Sequence, residues 1–160
     1  MKKRELLLRA TAVTIPLIIM AVIFVFSAQP AKESSNTSGG IAVFFAKLFD
    51  HFEKLSASQQ LVKINAWQFV VRKTAHFTIY SLLGTSVANA ANIFKKPLLL
   101  SPIIPMLYSI TDEVHQYFVE GRSCELRDIL LDTGGGVFGV LVYMFILYII
   151  KRRKTNGRKI

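Results

Sequence analysis

Polar and apolar positions divide the chain into four long hydrophobic stretches joined by shorter polar ones. Leu6 to Phe26 is apolar apart from Arg9 and a few hydroxyls, Leu98 to Ile110 is nearly uninterrupted, and Ile129 to Ile150 is apolar beyond Asp132 and a glycine cluster. A hydrocarbon core of about 30 Å takes about 20 helical residues, so each stretch is long enough, or extendable enough, to span one. The stretch from Trp67 to Phe94 is more polar and carries Arg72, Lys73, His76, Tyr80, Asn89 and Asn92. Alone it inserts poorly, so it is expected inside a bundle with its polar side facing protein or trapped water. The pattern predicts an all-α polytopic membrane protein of one domain, 1–160. Its expected architecture is a four-transmembrane-helix bundle with spans at about 6–27, 67–94, 97–118 and 128–150.

A fifth element lies between the first two spans. Ile41, Phe44, Phe45, Leu48, Phe49, Phe52 and Leu55 recur at helical spacing, while Lys47, Asp50, His51 and Lys54 take other faces. This predicts an outer amphipathic helix over about 41–55, lying in the membrane interface or packed on the outer ends of the bundle. Before it, Ser27-Ala28-Gln29-Pro30 and Ser34 to Gly40 read as a polar connector rich in turn residues. Asn92 to Pro97 reads as a short inner turn and Val119 to Arg127 as a short outer loop. Gly134, Gly135, Gly136 and Gly139 open the last span and let neighbouring helices approach closely.

Composition supports the membrane class. Hydrophobic residues make up 52% of the 160 positions, high for an ordinary soluble domain. The formal charge of +10 would point to nucleic acid in a soluble protein, but its distribution follows the spans. Lys2, Lys3, Arg4 and Arg9 precede or enter the first, Lys95 and Lys96 separate the second from the third, and Lys151, Arg152, Arg153, Lys154, Arg158 and Lys159 follow the last. Nine of the ten acidic residues fall on the other side. By the positive-inside rule both termini are expected to be cytoplasmic, and no nucleic-acid partner is expected. The alternative of a cleaved signal peptide is disfavoured by the length of the first run and the lack of an A-x-A site. Cys124 is the only cysteine, so no intrachain disulfide can form.

Topology also sets the depth of the charged residues. Arg72 and His76 fall in the outer half of the second span, Asp112, Glu113, His115 and Gln116 near the outer end of the third, and Asp128 and Asp132 at the start of the fourth. Charges in hydrocarbon persist when they are paired, wetted or used. Arg72, His76 and Tyr80 share a stripe at i, i+4 and i+8. The expectation is a compact polar cluster, open outward, in which carboxylates face Arg72, Lys73, His76 and Arg122.

The same residues carry a resemblance. Arg72-Lys73-x-x-His76-Phe77-x-x-Tyr80-x-x-x-Gly84, then Asp112-Glu113-x-x-Gln116-x-Phe118-x-x-Gly121-Arg122, then Asp128-x-x-x-Asp132-x-x-Gly135 resembles the motif order of VanZ-like membrane proteins, as does Phe24 to Pro30 at the end of the first span. The resemblance implies a bacterial cytoplasmic-membrane protein, in a family whose namesake is associated with low-level teicoplanin resistance. It implies no mechanism.

Three readings of the cluster are open. In the binding reading, Arg72, Lys73, His76, Tyr80, Asp112, Glu113, Gln116, Arg122, Asp128 and Asp132 hold an anionic lipid headgroup or a lipid-linked envelope precursor, because the Arg fork suits phosphate and carboxylate. In the enzymatic reading, a hydrolase or transferase acts on a lipid-linked phosphate with His76 or Glu113 as general acid/base. In the structural reading the polar contacts only fix helix register. Transport ranks below these, since no inverted repeat is visible. A metal site built from His76, His115, Asp112 and Glu113 matches no known spacing, so neither metal nor cofactor is expected. Membrane lipids are the expected partners, with homo-oligomerisation open.

Overall fold

A computed structural model describes residues 2–49 and 51–156. Asp50 of the expected outer helix, and Arg158 and Lys159 of the basic C-terminal run, lie outside these. The described residues are helical throughout: α1 (Lys2–Ser27), α2 (Ala31–Phe49), α3 (Ala57–Ile93), α4 (Ile103–Tyr117) and α5 (Leu126–Asn156), with single 3-10 turns at Phe52–Lys54 and Leu98–Leu100.

Two helices, α1 and α5, are long and apolar enough to cross a membrane. Only 22% of the most apolar window of each is buried inside the protein, so their apolar residues face outward. Leu17, Val25, Leu141 and Phe145 are all more than half exposed. Such surfaces are unstable in water and stable in lipid, which makes this a membrane protein. At about 1.5 Å per residue, the 15 residues of α4 reach only about 22 Å and the 37 of α3 about 56 Å.

Helix α2 begins at Ala31 rather than near 41, so the expected polar connector is helical. Its hydroxyls bond back to the preceding turn, Thr37 to Glu33 O at 3.1 Å and Ser38 to Ser34 O at 3.0 Å. Ser38, Ala42 and Ala46 form a buried small-residue stripe at i, i+4 and i+8. That stripe lets α2 lie along α3, where Phe45 stacks on Trp67 with ring centroids 5.3 Å apart. Ile41, Phe44 and Leu48 are left exposed. Helix α3 opens with a capping box: Gln59 N donates to Ser56 Oγ at 3.5 Å and Ser56 N donates to Gln59 Oε1 at 3.0 Å.

The most extensive helix contact joins α3 to α5, and glycines make it. A Cβ at Gly84 would lie 2.1 Å from Gly136 O, at Gly135 2.5 Å from Phe77 O, and at Gly139 1.9 Å from Ser81 O. Gly136 also admits α4, since a Cβ there would meet Pro105 Cβ at 2.5 Å. Gly134, expected to share this role, faces open space. Beside the seam, Ile23, Tyr80, Leu83 and Val87 form a small core, with Ile19, Met20, Ile79 and Tyr108 against it.

Candidate functional site

Close approach of α3 and α5 brings His76 against Asp132, and α4 supplies Asp112 from the third side. One ligand atom from each of His76, Asp112 and Asp132 lies within 4.8 Å of the others. His76 Nδ1 stands 3.3 Å from Asp132 Oδ2. Asp112 Oδ2 accepts from Ser27 Oγ of α1 at 3.0 Å and from Gln116 Nε2 at 3.1 Å. Asp112 Oδ1, Asp132 Oδ1 and the Tyr80 hydroxyl are buried with no hydrogen-bond partner. Asp112 is 3% exposed and Asp132 and Tyr80 0%. Two carboxylates at such a separation repel by about 3.5 kcal/mol even at an effective dielectric of 20, and unpaired buried oxygens add to the penalty.

The remaining expected residues divide between ion pairs and open positions. Lys73 pairs with Asp128. Glu113 is turned away from His76 and accepts from the backbone N of Glu125 at 2.9 Å. His115, three residues after Asp112, packs instead against Phe24 in a tilted ring contact, with centroids 4.6 Å apart. Arg122 is paired with no carboxylate among the described residues. Its Nε donates to Gln29 O at 3.0 Å, Nη1 to Gln116 Oε1 at 3.1 Å and Nη2 to Phe26 O at 3.3 Å. It therefore caps the last carbonyls of α1 while orienting the glutamine that holds Asp112. Gly121, with φ of +73°, makes the turn that delivers it.

Arg72 has neither an ion pair nor a hydrogen bond among the described residues, although it is half-buried. Burial, and then the nearby Arg72 guanidinium, lower the pKa of Arg122 from its ordinary value, while Asp112 and Glu113 raise it. The two guanidinium groups thus neighbour each other without a shared counter-ion.

Two cavities meet at this pair. One, of about 260 Å³, is almost wholly apolar; Ile23, Phe26, Ile41, Val71, Ala75 and Ile79 line it, with Arg72, His76 and Arg122 also in its wall. The other, of about 350 Å³, is polar and is lined by Arg72, Lys73, Arg122 and Arg127 together with Glu125 and Asp128. Asp128 is taken by Lys73 and Glu125 by Arg127. Bonds from Arg127 and then Ser123 hold Glu125 below the ordinary carboxylate range. Of the two expected acid/base candidates, His76 lines a cavity and Glu113 lines neither of these.

Sequence spacing found the Arg72, His76 and Tyr80 stripe and the acids facing it. It missed Ser27 and Gln29 as partners of the site; Ser27 immediately precedes the Pro30 turn, and only the α1 to α4 packing reveals its role. No curated protein and no solved structure matches this chain. The sequence model described as VanZ/LLP1 matches residues 12–148. That match takes in α3, α4, the Arg122 loop and most of α1 and α5, and the chain is a member of the VanZ/LLP1 family.

Proposed function

We propose that this protein binds an anionic amphiphile, an acidic lipid or a lipid-linked envelope precursor, with its phosphate or carboxylate between Arg72 and Arg122. One observation carries the reading: the unpartnered Arg72 and its neighbour Arg122 stand where a polar cavity meets an apolar one. A headgroup fits the polar side, and the first part of an acyl or prenyl chain fits the other. Arg72 keeps its donors uncommitted, so its planar fork is available for two parallel hydrogen bonds. Lys73, His76, Tyr80, Asp112, Glu113, Gln116, Asp128 and Asp132 position this pair or line its surroundings. Withdrawal of such a molecule from the outer leaflet would alter what a glycopeptide such as teicoplanin encounters.

The reading includes four membrane spans with both termini cytoplasmic, α2 at the outer interface, and a location in a bacterial cytoplasmic membrane. The exposure of Cys124 gives the orientation a direct test. A membrane-impermeant maleimide should label it in intact cells; labelling only after lysis would reverse the topology.

Binding is tested on purified protein in nanodiscs, comparing phosphatidylcholine, phosphatidylglycerol and a polyprenyl monophosphate by native mass spectrometry. Each charge-assisted hydrogen bond lost is worth about 1.5 to 3 kcal/mol, so Arg72→Gln should weaken the favoured anionic species by about 10- to 100-fold. Arg72→Lys should recover only part of this. Equal retention of anionic and zwitterionic lipid by the wild type, or unchanged retention in Arg72→Gln, refutes the reading.

A further inference from the structure

We infer that His76, Asp112 and Asp132 form a binding site for one divalent transition-metal ion, of the Zn²⁺ or Mn²⁺ class. The three donors come from three helices, α3, α4 and α5, and lie within 4.8 Å of one another. A metal with bonds of about 2.1 Å holds its donors about 3.4 Å apart in a tetrahedral arrangement. The 3.3 Å separation of His76 Nδ1 and Asp132 Oδ2 already has that value and is long for a hydrogen bond.

A cluster of acids is not in itself a site; here it is the orphaned oxygens of the grouped acids that point to an ion, whereas Glu113 Oε1, also orphaned, lies outside the group. Asp112 Oδ1 and Asp132 Oδ1 are both buried and both without a donor, on side chains at least 97% buried. The Tyr80 hydroxyl, equally buried, stands beside Asp112 and adds another oxygen. Among the described residues no lysine or arginine pairs with either acid: Lys73 is engaged by Asp128, Arg122 by Gln116 and backbone carbonyls. With a neutral imidazole, two carboxylates and one divalent ion sum to zero charge, which is what a buried site needs. A nitrogen donor beside carboxylates favours Zn²⁺ or Mn²⁺ over Mg²⁺ or Ca²⁺, which prefer all-oxygen sets.

The surroundings match those of ligating carboxylates. Asp112 is oriented by Ser27 and Gln116 through its other oxygen, and Gln116 is in turn held by Arg122, leaving Oδ1 for an ion. His76 and Ser27 also line the apolar cavity, so an ion here would border the space that Arg72 shares. The site stands on its own residues and does not require the amphiphile.

The test uses the full-length protein in detergent, with no lipid added. Elemental analysis of wild type purified without chelator should find about one Zn or Mn per chain. EDTA should lower the melting temperature, and micromolar Zn²⁺ or Mn²⁺ should restore it with one-to-one stoichiometry by calorimetry. Asp132→Asn and Asp112→Asn, near-isosteric changes, should melt identically with and without these ions. Glu113→Gln, which alters a buried acid outside the triad, should retain the metal. A wild type that carries no stoichiometric metal and whose melting ignores EDTA and add-back overturns the site. So does restoration by Mg²⁺ alone, or loss of metal in Glu113→Gln equal to that in Asp132→Asn.

Discussion

Replacing Gly139 with alanine tests whether the α3 to α5 seam holds the site together. The added Cβ would stand 1.9 Å from Ser81 O, 2.7 Å from Ser81 C and 2.9 Å from Thr85 N, whereas ordinary contact begins at 3.4 Å. The helices must therefore part locally by about 1.5 Å, the difference between the 1.9 and 3.4 Å values. Overpacking of this kind costs about 1 to 3 kcal/mol, and losing the 3.0 Å bond from Thr85 Oγ1 to Gly139 O costs about 1 more. Alanine's better helix propensity returns about 1 kcal/mol, for a net loss of about 1 to 3. Gly134→Ala is the matched control. It makes the same chemical change where no atom lies within 4 Å, so only the propensity gain of about 1 kcal/mol remains. Thermal unfolding in detergent, followed by the fluorescence of the sole tryptophan, Trp67, should show Gly139→Ala melting about 2 to 12 °C below wild type. Gly134→Ala should melt at or slightly above it. Equal melting of Gly139→Ala and wild type, or an equal fall in both variants, would refute the close-packed seam.

Other outcomes follow from individual contacts. Arg122→Lys should lose about 2 to 3 kcal/mol, because an ammonium cannot serve Gln29 O, Phe26 O and Gln116 Oε1 together. Arg72→Lys, by contrast, should melt within about 0.5 kcal/mol of wild type while weakening amphiphile retention. Tyr108→Phe removes the 2.6 Å bond to Met20 O and should lower stability by about 1 kcal/mol, read in the same melting assay. Gly121→Ala forces a side chain to a φ of +73° and a Cβ to within 3.1 Å of Ala31 Cβ, costing about 1 to 2 kcal/mol. Glu125 has a folded pKa depressed below its unfolded value by Arg127 and Ser123. Its small stabilisation is present above the unfolded pKa and fades as pH falls through the folded one, so any melting difference between wild type and Glu125→Gln should vanish in acid.

How far the sequence foretold this arrangement depends on the range of the interactions involved. The His76 and Tyr80 stripe was legible because a helix repeats every 3.6 residues, and Gly135, Gly136 and Gly139 announced close packing. That Gly134 takes no part was not legible, because it depends on which face of α5 meets α3. The stretch 34–40 was read as a connector since Ser, Asn, Thr and Gly favour turns. It is helical because small residues let it lie along α3, where Gln68 Nε2 donates to Ser35 O at 3.3 Å, and that partner lies 33 residues away. Similarly, His115 and Glu113 looked as fit for the cluster as Asp132. Only tertiary placement sends His115 to Phe24 and Glu113 to the start of α5. The capping box at Ser56 and Gln59 was a local signal and could have been read from the chain.

The glycine-made close approach of α3 and α5 also decides where this molecule can yield. Backbone against backbone leaves no rotamer to turn and no methylene to compress, so the two helices that carry His76 and Asp132 keep a fixed register. Helix α2 sits differently, resting on alanines and tied near its start by the bonds from Ala31 N to Glu120 O at 3.1 Å and from Gln68 Nε2 to Ser35 O at 3.3 Å. If the apolar chamber takes an amphiphile as proposed, α2 is the wall expected to give way, because it lacks the glycine seam that fixes α3 against α5.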